Sequence, residues 1–241
     1  SQKESFWLDA RDSVVDKMFD DILSRNMSLY TTDLLNLGKL FSHLIDFRSN
    51  FTATHSTGVS AVASLLAGLM GFSDEECLTM QLAGSFHDIG KLAVPTEVLE
   101  KTGPLTSEEY DIMRSHTYFT DRLLSRIKEF DTIRIWAALH HEKLNGTGYP
   151  FKMSEIQIPL GSRILAVADI FTAITEDRPY RKGMNRFEVM KIFDKMVKED
   201  LVDGRVVNVL MENYSIIDRK RRREQEKALF EYQKFYKDSK I

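Results

Sequence analysis

The sequence has a single cysteine, Cys77, in 241 residues, which excludes a disulfide within the chain and suits a reducing compartment. It has no apolar run approaching the roughly 20 residues that a membrane span needs. The longest candidate, Val59 to Met70, is broken by serine and glycine. No secretory signal is visible, so a cytoplasmic setting is expected. There is no basic excess: a net charge of -3 argues against a nucleic acid polymer as partner. Convincing strands are missing too, because apolar and polar residues do not alternate beyond the brief "IQIP" at 156–159. No internal repeat is evident. The first residue is Ser1 rather than Met, as in a piece of a longer signalling protein.

What is present is helical periodicity. Val14, Val15, Met18, Phe19, Ile22 and Leu23 recur at three-to-four spacing, and Leu37, Leu40, Phe41, Leu44 and Ile45 do so again. A third helix runs from His55 through Val59, Val62, Leu66 and Leu69. Ser73 with Glu76, and Thr106 with Glu109, have the spacing of capping boxes, and so open helices that run toward His87 and carry His116. Further helices are expected from Thr132 into His140 and His141, from Ser162 to Thr175 with Asp169, and from Arg186 to Lys198. The glycines and prolines between Gly146 and Pro159 mark a long loop, and "EDRPYRKG" at 176–183 marks a turn. The fold class is therefore all-α, a bundle of roughly ten helices. Residues 1–50 read as a helical connector without a chemical motif, 51–200 as the catalytic unit, and 201–241 as a helical extension. The charged run from Asp218 onward reads as a solvated terminal helix, with docking against a partner or the N-terminal helices as the other reading.

Six histidines are present, and any one alone reads as core or surface. As a group, His55, His87, His116, His140 and His141 fall in or at the ends of separate helices, and a bundle can project such residues inward around metal. Neutral imidazoles with carboxylates suit iron, manganese, nickel or zinc. A helix turns about 100° per residue, so His87 and Asp88 cannot share one direction, but a two-oxygen carboxylate can bridge neighbouring ions. Five histidines with Asp88 and Asp169 exceed what one tetrahedral site needs. Two divalent ions would use them all, and such pairs activate water for phosphoryl displacement.

"HDIGK" at 87–91, "THSTGV" upstream, "RSHT" downstream, then "HHEKLNGTGYP" and "AVADIFTAITEDRPYRKGM" resemble the HD-GYP family, a branch of the HD metal-dependent phosphohydrolases. The resemblance covers about residues 50–200 in the same order. It implies an all-helical HD-type bundle and two or more metals, iron first, with manganese, nickel or zinc as alternatives. It implies a phosphodiesterase that hydrolyses cyclic di-GMP to pGpG or GMP in bacterial signal transduction; some members prefer hybrid cyclic GMP-AMP.

Position by position, His55, His87, Asp88 and Asp169 match ligands shared with HD hydrolases generally, and His116, His140 and His141 match the added histidines of a second site. Asp88 resembles the bridging carboxylate. Lys91 matches the motif lysine near the scissile phosphate, where it would offset charge in the transition state. Tyr149, Arg178 and Arg181 match positions that line the nucleotide pocket. Glu142 is expected behind the ligands, orienting a histidine through its ring N–H. A helix pair at the start and a charged helix at the end suggest an upstream sensory or receiver domain and a homodimer.

Four positions depart from the pattern. Phe51 stands where three-metal members carry glutamate, which leads to two metals here. Asn145 replaces the usual aspartate before the glycines: harmless if that position only pins the loop, harmful if it handles protons. Thr172 replaces an aspartate three residues after Asp169, and Gly58 an arginine three residues after His55. The rival readings are a receptor that binds a cyclic dinucleotide without cutting it, and an HD hydrolase of another nucleotide.

Overall fold

A computed structural model describes residues 31–48, 54–177 and 181–238. The predicted helix over 14–23, Phe51 and Arg178 with Pro179 lie outside the described residues. Ten α-helices are present among those described: α1 Thr31–Arg48, α2 His55–Leu69, α3 Asp74–Phe86, α4 Thr96–Leu99, α5 Ser107–Leu124, α6 Asp131–Ala138, α7 Leu160–Thr175, α8 Arg186–Lys198, α9 Gly204–Glu212 and α10 Tyr214–Asp238. Among the described residues there is no strand, only an isolated bridge between Asn145 and Ser154. The all-α expectation is met. The "IQIP" segment does not pair; Glu155–Gln157 is a 3-10 turn.

Both predicted capping boxes form. The Ser73 amide donates to Glu76 at 2.8 Å and the Glu76 amide to the Ser73 hydroxyl at 3.2 Å, while the Thr106 amide donates to Glu109 at 2.7 Å. Such reciprocal bonds satisfy amides that no helical carbonyl reaches, and set where α3 and α5 begin. Asn185 with Glu188 makes a third box that opens α8 at its predicted residue.

Helices α2 and α7 form the centre. On α2, Val59, Val62, Ala63, Leu66 and Ala67 are fully buried; on α7, Ile164, Leu165, Val167, Ala168 and Phe171 are buried as well. A helix apolar on most of its faces belongs inside a bundle. Around them pack α3 with Phe86, α6 with Ala137, α8 with Phe193 and α9 with Leu210. Helix α1 joins the same core through Ile45, and the Ser42 hydroxyl donates to the Ser85 carbonyl at 3.1 Å. Helix α10 lies along α2. Its basic run is not simply solvated, because Arg221 is only 3% exposed. The core thus holds α2, α3, α5 and α7 together.

Candidate metal centre

Three histidines share one local device. The Nδ1 of His87 donates to the Gly84 carbonyl at 2.8 Å, that of His116 to Met113 at 2.7 Å, and that of His140 to Ala137 at 2.6 Å. Each partner lies three residues back along the chain. A carbonyl only accepts, so the proton sits on Nδ1 and the Nε2 lone pair is left free. All three Nε2 atoms are buried without a hydrogen-bond partner. Leaving such an acceptor unsatisfied costs about 1–3 kcal/mol each, and three in one place call for a shared electrophile.

Asp88 stands between two of them. One carboxylate oxygen lies 3.2 Å from the His87 Nε2, the other 3.3 Å from the His116 Nε2. Acceptor facing acceptor is repulsive, and a cation between them reverses the sign. Groups of ligand atoms within 4.8 Å of one another are formed by His55, His87 and Asp169; by His87, Asp88 and His140; and by His116, His140 and His141. All seven residues picked out as ligands are therefore brought together. They come from the ends of α2 and α3, the middle of α5, the turn after α6 and the middle of α7. His140 and His141 sit just past α6, which ends at Ala138 instead of running into them.

Glycine sets the approach. A Cβ on Gly90 would collide with the backbone at His116 and Thr120, so the "HDIGK" turn lies directly against α5. The Thr120 hydroxyl closes this contact by donating to the His87 carbonyl at 3.1 Å.

The protonation states divide the cluster: three histidines favour the neutral, ligating form, and two favour the charged form while no cation is bound. Burial pushes His116 down to about 4 and His140 down to about 3, and drives His141 well below its ordinary value. Neutral imidazole is the form that ligates. Burial also opposes charge on His55 and His87, but carboxylate neighbours prevail. Hydrogen bonds to Asp169 and Glu176 lift His55 to about 10, and Asp88 raises His87. Against the cost of its burial, Asp88 is held ionised by His87 and Lys91, and its carboxyl lies well below the usual range.

The remaining predicted residues fall as follows. The Lys91 ammonium donates to Asp88 at 2.6 Å and is partly exposed. The Tyr149 ring packs on His141 with centroids 4.9 Å apart, and the Tyr149–Pro150 peptide is cis. Arg181 is exposed and donates to the Ala173 carbonyl at 2.7 Å, at the end of α7. Glu142 is not bonded as expected. Its two oxygens accept the Phe151 amide at 2.7 Å and the Met153 amide at 3.0 Å, so it pins the loop beyond Tyr149 instead of orienting a ring N–H. Asn145 also pins that loop. Its oxygen accepts from the Thr147 amide and hydroxyl, and its amide donates to the Glu199 carbonyl at 2.9 Å. Gly146, at φ +76, and Gly148, where a Cβ would collide with Glu142 and Lys143, let the chain fold back here.

Two features went unread in the sequence. Glu176 approaches the His55 Nδ1 at 3.2 Å, taking the orienting part assigned to Glu142. Arg114 lies over the Tyr110 ring at 4.4 Å and near the Tyr149 ring at 5.4 Å, a cation between two aromatics beside the histidines. Arg114 stands two residues before His116, about 200° around α5, so that spacing gave no sign that it borders the site.

The HD domain family matches residues 39–206 of the chain. A 3'3'-cGAMP-specific phosphodiesterase 1 of Vibrio cholerae is 33% identical over 214 residues, covering 88% of this chain and 50% of that protein. The cyclic di-GMP phosphodiesterase PA4108 of Pseudomonas aeruginosa is 37% identical over 172 residues, 71% of this chain and 40% of that one. The chain thus spans half or less of the length of these relatives. Among solved structures, Bd1817, an HDG"Y"P protein from Bdellovibrio bacteriovorus, superposes with a TM-score of 0.55 at 21% identity, over 86% of this chain and 62% of its own. The HD domain of Listeria monocytogenes PgpH does so at 0.53 and 15% identity, over 73% and 93%. At such identities the two structures speak for the fold alone.

Proposed function

The chain belongs to the HD domain family, in its HD-GYP branch, and from that premise we propose that it is a metal-dependent phosphodiesterase that opens cyclic di-GMP to pGpG or GMP. The observation that carries this reading is the set of three buried, unpartnered Nε2 atoms around the Asp88 carboxylate. Nothing about core packing requires it, and a pair of divalent ions satisfies every member. His55, His87, Asp169 and one oxygen of Asp88 would hold one ion; His116, His140, His141 and the other oxygen would hold the second. Iron is the first choice, with manganese, nickel and zinc also suited to imidazole and carboxylate. When bound, such ions supply a water of lowered pKa and neutralise charge on the phosphate.

The rest is the work of the chain's own groups. Asp88 keeps the two sets of histidines at a fixed separation. Lys91, tied to Asp88 at the edge of the cluster, adds a positive charge that offsets the charge developing on phosphorus-bound oxygen. Tyr149 gives a flat wall over His141 against which a guanine can stack. Arg114, held between Tyr110 and Tyr149, can grip a phosphate or guanine edge through charge-assisted bonds, and Arg178 and Arg181 would serve the far end of the dinucleotide. Asn145 speaks for activity, since its side chain bonds Thr147 and the Glu199 carbonyl and so fits the part of pinning the loop.

The relatives' names divide between cyclic di-GMP and hybrid cyclic GMP-AMP, so the second substrate belongs in the test. Protein purified without oxygen and loaded with Fe(II) or Mn(II) should convert cyclic di-GMP to pGpG. Metal-loaded protein that binds cyclic di-GMP and cuts neither dinucleotide would turn the reading into that of a receptor. Cleavage of hybrid cyclic GMP-AMP alone would move the substrate and leave the reaction.

A further inference from the structure

His87, His116 and His140 are each oriented by a carbonyl three residues back. His55, the first residue of α2, is oriented by side chains instead. Glu176 takes the carbonyl's place, with its Oε2 3.2 Å from the His55 Nδ1. Glu176 is itself held from elsewhere. Gln225 of α10 donates its amide to the same oxygen at 3.3 Å and to the Thr54 carbonyl at 3.3 Å. The Gln225 amide is turned this way by Arg221, whose Nη1 donates to Gln225 Oε1 at 2.6 Å. A guanidinium only donates, so it must face the oxygen of the amide and leave the nitrogen to the other side. Asp218 accepts from the Arg221 Nε at 3.1 Å and from its Nη2 at 2.7 Å, which balances the buried charge. Arg221, Gln225, Glu176 and His55 are all buried.

Two of the departures from the family pattern meet at this spot. A Cβ on Gly58 would lie 2.8 Å from the Gln225 Nε2 and 2.9 Å from the Thr172 Cγ2. Positions 58 and 172 therefore face each other, and an arginine and aspartate there would share the space. Here both are gone, and the side chain of Gln225 stands in the room. Arg221 and Gln225 lie beyond residue 206, where the family match ends.

We infer that helix α10 is a positioning element of the metal centre: Gln225, oriented by Arg221, holds Glu176 against the outer nitrogen of His55, in the space that Gly58 and Thr172 leave open. This rests on the proposed role of His55 as a metal ligand. Outer partners of this kind typically change metal affinity by about 10- to 100-fold.

Titrating Mn(II) into the metal-free full chain, with no substrate present, tests it. Gln225→Leu and Glu176→Gln should each weaken one of the two ions by roughly 10- to 100-fold and leave the other within about twofold. Gly58→Ala, which pushes a methyl onto the Gln225 amide, should reproduce the selective loss. The melting temperature of each metal-free variant separates positioning from folding. The inference fails if both ions bind the variants as they bind the parent. It fails equally if both weaken together alongside a falling melting temperature. A parent chain that takes up no Mn(II) would overturn the metal centre itself, a different failure.

Discussion

The centre has two sides built on different principles. The side of His87, His116 and His140 is local: each ring is set by a carbonyl of its own helical turn, so it is oriented as soon as that turn forms. The side of His55 is remote: its two nitrogens face Asp169 and Glu176, 114 and 121 residues away in sequence, with Gln225 behind them. Local support costs little conformational entropy and stands or falls with one helix. Remote support needs the whole bundle closed before it exists.

Asp88 faces the Nε2 atoms of His87 and His116, which serve different ions in the proposed centre, so its loss should produce the largest effect. Asp88→Asn keeps the shape and removes the charge facing both lone pairs. Both ions should be lost and turnover should fall on the order of 10³-fold, as read by elemental analysis and a cyclic di-GMP assay. Retention of one ion at full affinity would show that the two ions do not share this carboxylate.

The two sides should also oppose each other in metal-free protein as pH changes. His116 and His140 are depressed to about 4 and about 3 from an ordinary 6.5. Between those values and 6.5 the unfolded chain binds more protons than the folded one, so stability should fall as pH drops below 6.5. His55 is raised to about 10, so its contribution is complete below 6.5 and is lost as pH rises toward 10. Chelator-treated protein should therefore melt highest near pH 6.5 and lose a few kcal/mol, in order of magnitude, on either flank. His140→Ala should shrink the acid flank alone, leaving the part due to His116. Loss of both flanks in that variant would break the distinction.

Smaller effects lie at the rim. Arg114→Ala should raise KM for the dinucleotide about tenfold with kcat nearly unchanged, since a charge-assisted bond to bound substrate is worth roughly 1.5–3 kcal/mol. An equal fall in kcat would move Arg114 from binding to chemistry. Smallest of all, Asn145→Asp loses the bond to the Glu199 carbonyl. It should cost about 1 kcal/mol of stability and less than about threefold in turnover. A marked gain in turnover would mean the position handles protons after all.

Legibility in the sequence follows the same division. The caps at Ser73 and Thr106, the helix over 186–198 and all seven clustered residues could be read because each depends on neighbours within a turn or on a short motif. Glu142 was legible as important and was assigned the wrong partner. Its spacing says nothing of a loop that returns nine and eleven residues later to bond it. Glu176, Gln225 and Arg221 were not legible at all. A glutamate at a helix end and a glutamine in a charged run look solvated, and only the packing of α10 on α2 brings them together. Gly58 and Thr172 were visible as exceptions, but that they are a single exception appears only in three dimensions.

The packing of α10 bears on where this domain stops. A chain cut at Val206 would contain every residue matched by the family and every clustered histidine. It would also open the back wall of the site to water, since Gln225 would no longer fill the hollow beside Gly58. A boundary drawn by likeness to relatives and one drawn by what this protein needs differ here by most of α9 and the whole of helix α10. In swapping such domains between signalling proteins, the helix should travel with the histidines.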